Sequence, residues 1–204
     1  MSDNAPRLYL VTPRDAAPES LLPPLEAALG LGLVACLRLD LDAADDDDWT
    51  RAVNLLMPAC HAADVPMVIT DRPALVGPLG LDGVHLARSD ASVKKLRASL
   101  GDDRIIGASG GSGRHRAMTL AEAGADYVTL GPLSADGAPA EAKADDTLFQ
   151  WWAEMIETPV VAEGGVDLAA AKRLAETTDF IVPDPELVWP DPVGTLPAFA
   201  DALR

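Results

Sequence analysis

Eight short apolar runs recur along this chain, each followed by a stretch with helical spacing. That alternation constrains the fold more than any other feature. The runs are 8–12, 34–39, 66–70, 83–86, 104–108, 127–130, 159–162 and 179–182. Runs of this length that stay apolar suit strands buried on both faces, the condition of a parallel sheet whose crossovers cover it. Helical periodicity occupies 24–29, 48–63, 73–79, 92–100, 113–123, 145–157, 168–176 and 196–203. Unbroken β-then-α order predicts an α/β fold, one (β/α)₈ TIM barrel domain spanning 1–204. A doubly wound open sheet uses the same order, but no dinucleotide glycine fingerprint follows the first run. The Pro-rich stretch 183–197 predicts an irregular tail to the last unit.

Charge and composition exclude several classes of partner. A formal charge of −16 argues against nucleic acid and anionic membrane surfaces, because both demand a cationic face. No apolar stretch approaches the roughly 20 residues of a membrane span. No basic segment followed by an apolar one opens the chain, so a cytoplasmic protein is expected. Cys36 and Cys60 make no disulfide framework, and Cys36 reads as a core or site-wall residue.

In such barrels chemistry is sought just past the strand C-termini. Asp71 and Asp90 follow two neighbouring runs, where paired carboxylates come within reach of one divalent cation. A loop turn for Asp71 and a helix cap for Asp90 are the structural alternatives. Gly164 and Gly165 follow the seventh run, where paired glycines let backbone N–H groups approach an anion. A tight turn needing positive φ is the alternative there. The segment 107–115 contains Ser109, Arg114 and His115 and reads either as a phosphate cradle or as a connector. The acidic run 45–48 reads as a helix cap, with cation binding as its rival.

Taken in order, these segments resemble the thiamine phosphate synthase family and its thiazole-tautomerase relatives. The carrying pieces are Leu8-Tyr9-Leu10-Val11-Thr12, Leu37-Arg38, Asp71-Arg72, Asp82-Gly83-Val84-His85-Leu86 with Asp90, Ile106-Gly107-Ala108-Ser109, Ala125-Asp126-Tyr127 with Gly131-Pro132, and Val161-Ala162-Glu163-Gly164-Gly165-Val166. The resemblance implies small phosphorylated substrates: a hydroxymethylpyrimidine diphosphate joined to a thiazole phosphate, with diphosphate released and magnesium as cofactor. It implies Asp71 and Asp90 as metal ligands and Arg38 and Arg72 beside the pyrimidine diphosphate. Ser109, Lys143, Gly164 and Gly165 are the implied substrate-binding residues.

The chain also departs from that pattern. Cys36-Leu37-Arg38-Leu39-Asp40 stands where the family has Gln-Leu-Arg-x-Lys, and Ala87-Arg88 replaces Gly-Gln. Thr70 stands for the Asn before Asp-Arg, and Pro183-Asp184 for Val-Ser. A Thr-x-Thr-Lys loop is missing, with Lys143 standing in for its lysine. The lost phosphate-binding residues predict weakened or absent synthase activity. Two rival readings follow: a divergent barrel holding another ligand, and a tautomerase with His115 as displaced base.

Overall fold

The computed structural model describes residues 5–42, 45–88, 92–133 and 143–204. Its strands are β1 (Arg7–Val11), β2 (Val34–Leu39), β3 (Met67–Thr70), β4 (Gly83–Leu86), β5 (Ile105–Gly111), β6 (Tyr127–Leu130), β7 (Val160–Val166) and β8 (Phe180–Pro183). The helices are α1 (Pro18–Leu29), α2 (Asp46–Ala62), α3 (Pro73–Leu79), α4 (Val93–Leu100), α5 (Arg114–Glu122), α6 (Asp146–Met155), α7 (Leu168–Leu174), α8 (Pro185–Val188) and α9 (Pro192–Ala202). Each strand pairs in parallel with the next, and β1 pairs with β8, so the sheet closes into an eight-stranded barrel. Parallel closure puts every strand C-terminus at one rim.

Strand starts agree with the apolar runs to within one residue; the ends of β5 and β7 do not. Both continue into glycines, Gly110-Gly111 and Gly164-Gly165, which carry no apolar signal. Both ends also shift register against their neighbours, a bulged geometry glycine permits. The expected irregular tail over 183–197 is corrected: it contains α8 and the start of α9. Its prolines open helices, with Pro185 and Pro192 at the first helical position, where a missing N–H leaves nothing unsatisfied. Asp184 and Asp191 cap these helices by accepting from Glu186 N–H and Gly194 N–H. The pair Pro23-Pro24, which reads as a helix start, lies inside α1.

Period-two alternation sends side chains to two different cores. Outward residues such as Leu37, Leu39, Ile69, Val84 and Val128 pack under the helices. Inward residues Tyr9, Val11, Cys36, Val68, Tyr127, Val161 and Val182 fill the barrel lumen. Three aspartates at the opposite face from the rim tie strand starts together. Asp82 accepts from Met67 N–H at 2.7 Å, Asp126 from Ile106 N–H at 2.6 Å and Asp179 from Val160 N–H at 2.8 Å. Each acid precedes an even-numbered strand and holds the odd-numbered strand before it. Asp82 and Asp126, both within the motif segments quoted above, are therefore structural.

Gly107 shapes the lumen. A Cβ there would sit 2.0 Å from Tyr127 Cζ, so the tyrosine ring occupies the space a side chain would need. That ring is what brings a phenol to the middle of the barrel.

Candidate active site at the barrel rim

The lumen carries polar groups beneath its rim. Tyr127 Oη lies 2.7 Å from Tyr9 Oη and 3.0 Å from His85 Nδ1, linking β1, β4 and β6 through one hydroxyl. The His85 and Tyr127 rings stack at 5.6 Å. One layer closer to the rim, Arg38 Nη2 donates to Glu163 Oε2 at 2.7 Å, and Thr129 Oγ1 donates to Glu163 Oε1 at 2.6 Å. Arg38 is 6% exposed. Burial opposes its charge, but the Glu163 carboxylate outweighs that, and its pKa is raised above the ordinary value. Burial also pushes up both tyrosines and lifts Cys36 to about 12, so all three stay protonated at neutral pH.

Four buried atoms in this zone have no hydrogen-bond partner among the described residues: Arg38 Nε and Nη1, Thr70 Oγ1 and His85 Nε2. Uncommitted buried donors and acceptors are rare in native proteins and call for a ligand or water. Thr70 and His85 are register partners on β3 and β4, next to Arg38 on β2.

His85 is fully buried, and desolvation, helped by repulsion from Arg38 and Arg88, holds its pKa well below the ordinary value. Below pH 6.5 the unfolded chain takes up a proton that folded His85 refuses, so stability falls as pH drops through that range. His85→Gln should flatten the pH dependence of unfolding free energy between pH 7 and 5. The slope removed should approach about 1.4 kcal/mol per pH unit. Urea denaturation at several pH values measures it, and parallel curves for the two proteins would contradict it.

At the rim, Asp71 has φ 53°, a left-handed conformation that aspartate tolerates better than most residues. Its N–H donates to His85 O at 2.9 Å. Its two carboxylate oxygens accept from Ala87 N–H and Arg88 N–H, each at 2.9 Å. Asp71 thus straps the end of β3 to the loop leaving β4. A carboxylate oxygen can accept from more than one partner, and magnesium is commonly held by one or two carboxylates plus phosphate oxygens and water, so the chemistry of this side chain fits such an ion. Among the described residues no group of three or more His, Cys, Asp or Glu side chains gathers to hold a metal alone. Asp90, the second expected ligand, lies outside the described residues.

The other expected residues divide. Gly164 and Gly165 have φ 84° and 77° and leave the inward face of β7 at the rim. A Cβ on Gly164 would meet Pro132 Cα at 2.8 Å, and Gly164 O accepts from Leu133 N–H at 2.8 Å. The glycine pair is therefore both a required turn and a backbone surface. The helix behind it is already capped, since Asp167 accepts from Ala170 N–H at 2.7 Å. Ser109 shares the inward face of Gly107 and pairs with Thr129 in register. Lys143 precedes Ala144, whose N–H donates to Pro132 O at 2.8 Å, placing the lysine beside the exit of β6. Arg72 lies 5.5 Å from the Trp49 ring and 3.7 Å from Asp46, both on α2.

The 107–115 segment divides between strand and helix. Its first half continues β5, and Arg114 stacks over Trp151 at 4.7 Å. His115 is exposed on the first turn of α5. The acidic run 45–48 behaves as a cap: Asp45 accepts from Asp48 N–H at 3.0 Å.

Sequence reasoning missed Glu163 as the partner of Arg38, and it missed the phenol–imidazole chain. Strand parity was the available signal. Residues 36, 38 and 40 share one face, as do 127 and 129, and 161 and 163, so the polar ones among them had to meet inside.

The fold is a closed parallel (β/α)₈ barrel with the Asp71 carboxylate and the Gly164-Gly165 turn at one rim, and comparison with known proteins supplies the family. The family model described as thiamine monophosphate synthase matches residues 8–181. The thiamine-phosphate synthase of Rhodospirillum centenum is 40% identical over 200 residues, covering 97% of this chain and 96% of that one. The thiamine-phosphate synthase of Erythrobacter litoralis is 33% identical over 204 residues, covering 97% and 95%. In fold, the chain is similar to a thiamine phosphate pyrophosphorylase from Pyrococcus furiosus, with TM-score 0.80, 21% identity, and 97% and 95% coverage. The chain belongs to the thiamine monophosphate synthase family.

Proposed function

We propose that this protein is a working thiamine phosphate synthase. It joins a hydroxymethylpyrimidine diphosphate to a thiazole phosphate and releases diphosphate. The observation that carries this reading is the shared rim of Asp71 and the Gly164-Gly165 turn, which lie at the ends of parallel strands β3 and β7 in a closed barrel. Asp71, with Asp90, would hold magnesium, which when bound neutralises charge on the departing diphosphate. The Gly164 and Gly165 backbone would bind the thiazole phosphate, with Ser109 and Lys143 lining the approach.

The uncommitted atoms of Arg38, Thr70 and His85 lie buried beneath the rim, where ordered water would satisfy them. Glu163 already neutralises Arg38, so that guanidinium is not free to meet a diphosphate. Holding both substrates on one rigid rim supplies orientation, a large part of catalysis for two-substrate reactions. The departures at Asp40 and Arg88 offset one another, because the two side chains form an ion pair. That pairing supports retained activity over the loss predicted from the isolated substitutions.

The test is direct. The protein is mixed with both phosphorylated precursors and magnesium, and thiamine phosphate and diphosphate are quantified by chromatography. Equal molar amounts of the two products, abolished by a chelator, are expected. Absence of product, with neither precursor binding by calorimetry, would overturn the synthase reading and leave the barrel to another ligand.

A further inference from the structure

Arg88 and Asp40 are both departures from the family pattern, and the structure puts them in contact. Arg88 Nη2 and Nη1 donate to Asp40 Oδ1 and Oδ2 at 2.8 and 3.2 Å, a two-pronged fork. The same guanidinium brings Nε to 3.5 Å from Asp71 Oδ2. Asp40 is fixed in place: Thr12 Oγ1 donates to Asp40 O at 2.8 Å and accepts from Asp40 N–H at 2.9 Å, and the residue is 4% exposed. Arg88 is not fixed in the same way, for its side chain is 47% exposed. Arg14 approaches Asp40 from the solvent side, with Nε at 3.7 Å.

The other arginines expected at the diphosphate are engaged elsewhere. Arg38 is bonded to Glu163 inside the lumen, and Arg72 lies against Trp49 and Asp46. Arg88 is the half-exposed cation whose reach covers the rim carboxylate Asp71. We propose that Arg88 is the diphosphate-binding cation of this barrel and that Asp40 is its resting counter-ion, displaced when the diphosphate substrate arrives and reclaiming the guanidinium when diphosphate leaves. This rests on the synthase reading above.

The exchange is chemically matched. A guanidinium fork presents the same pair of N–H donors to a carboxylate or to two phosphate oxygens. Diphosphate carries more charge than the single carboxylate it displaces, so substrate wins the exchange. Asp40 remains behind at the site wall, where it competes for the guanidinium and so promotes product release. Asp40 is therefore a positioning residue, and Arg88 touches substrate.

Opposite signs for the two substitutions make the test. Inorganic diphosphate with magnesium is titrated calorimetrically into the wild type, Arg88→Gln, Asp40→Asn and the double variant, and circular dichroism confirms that each is folded. Arg88→Gln should weaken binding about tenfold or more, the loss of one charge-assisted contact. Asp40→Asn should tighten it, and in the turnover assay inorganic diphosphate should become a stronger product inhibitor. The double variant should show no tightening, because Asp40 acts through Arg88. Unchanged affinity in Arg88→Gln, or weakened affinity in Asp40→Asn, overturns the proposal. If the wild type forms thiamine phosphate while both single variants shift affinity in the same direction, this inference falls and the synthase reading stands. If the wild type neither binds diphosphate nor turns over, both fall.

Discussion

Glu163→Ala is expected to lower the unfolding free energy of this protein by about 3–5 kcal/mol, because it strands a buried charge. For a chain of this size that loss corresponds to roughly 10 °C in melting temperature. Arg38 sits in the lumen with its side chain 8% exposed, and Glu163 accepts from both Arg38 and Thr129. Removing the carboxylate leaves a guanidinium that can neither reach water nor shed its proton. Replacing the whole set is a different matter. Arg38→Met with Glu163→Leu and Thr129→Val removes every polar member together and should recover most of the loss, since apolar substitutes for buried ion pairs are often neutral or better. Thermal and urea unfolding of the two variants would measure the contrast. A Glu163→Ala protein as stable as the parent would mean that water enters the lumen freely and the pair is effectively solvated.

Asp71→Asn is the second large effect, expressed in turnover. Asparagine tolerates the left-handed backbone at this position and keeps one acceptor oxygen for the loop leaving β4, so the fold should survive. What disappears is the negative charge that would hold magnesium. A metal stabilising a departing phosphate contributes several kcal/mol, so kcat/KM should fall by at least about a hundredfold. The magnesium concentration needed for half-maximal rate should rise as well. Both readouts come from one titration of rate against metal. A variant with undiminished rate and the same magnesium requirement would reduce Asp71 to a strap between β3 and β4.

How far the residues alone reveal this molecule depends on what each signal reports. Strand positions are legible because burial on both faces leaves continuous apolar runs, here repeated eight times with helices between. The ends of β5 and β7 are not, because glycine has no side chain to report burial. Prolines mislead in both directions: Pro185 and Pro192 start helices, while Pro23-Pro24 sits inside one. At the rim, the places of Asp71 and the glycine pair at strand ends are legible from the runs before them. The place of Arg38 in the second strand is legible too, but its bond to Glu163 spans 125 residues and only the closed barrel creates it. Asp40 reads as a simple loss of positive charge until Arg88, 48 residues away, is seen to hold it. Isolated substitutions at a rim mislead whenever a second one has moved to meet them.

The phenol–imidazole chain through the lumen bears on how such a barrel assembles. Tyr9, His85 and Tyr127 belong to three strands spread across both halves of the chain, and their bonds form only when β6 joins β1 and β4. A fragment ending after β4 would leave the Tyr9 hydroxyl and the His85 ring facing water in place of Tyr127, with the apolar lumen residues beside them exposed. Half a cylinder made from this sequence is thus discouraged as a resting place, and the middle of the molecule acts as a checkpoint for the joining of its halves.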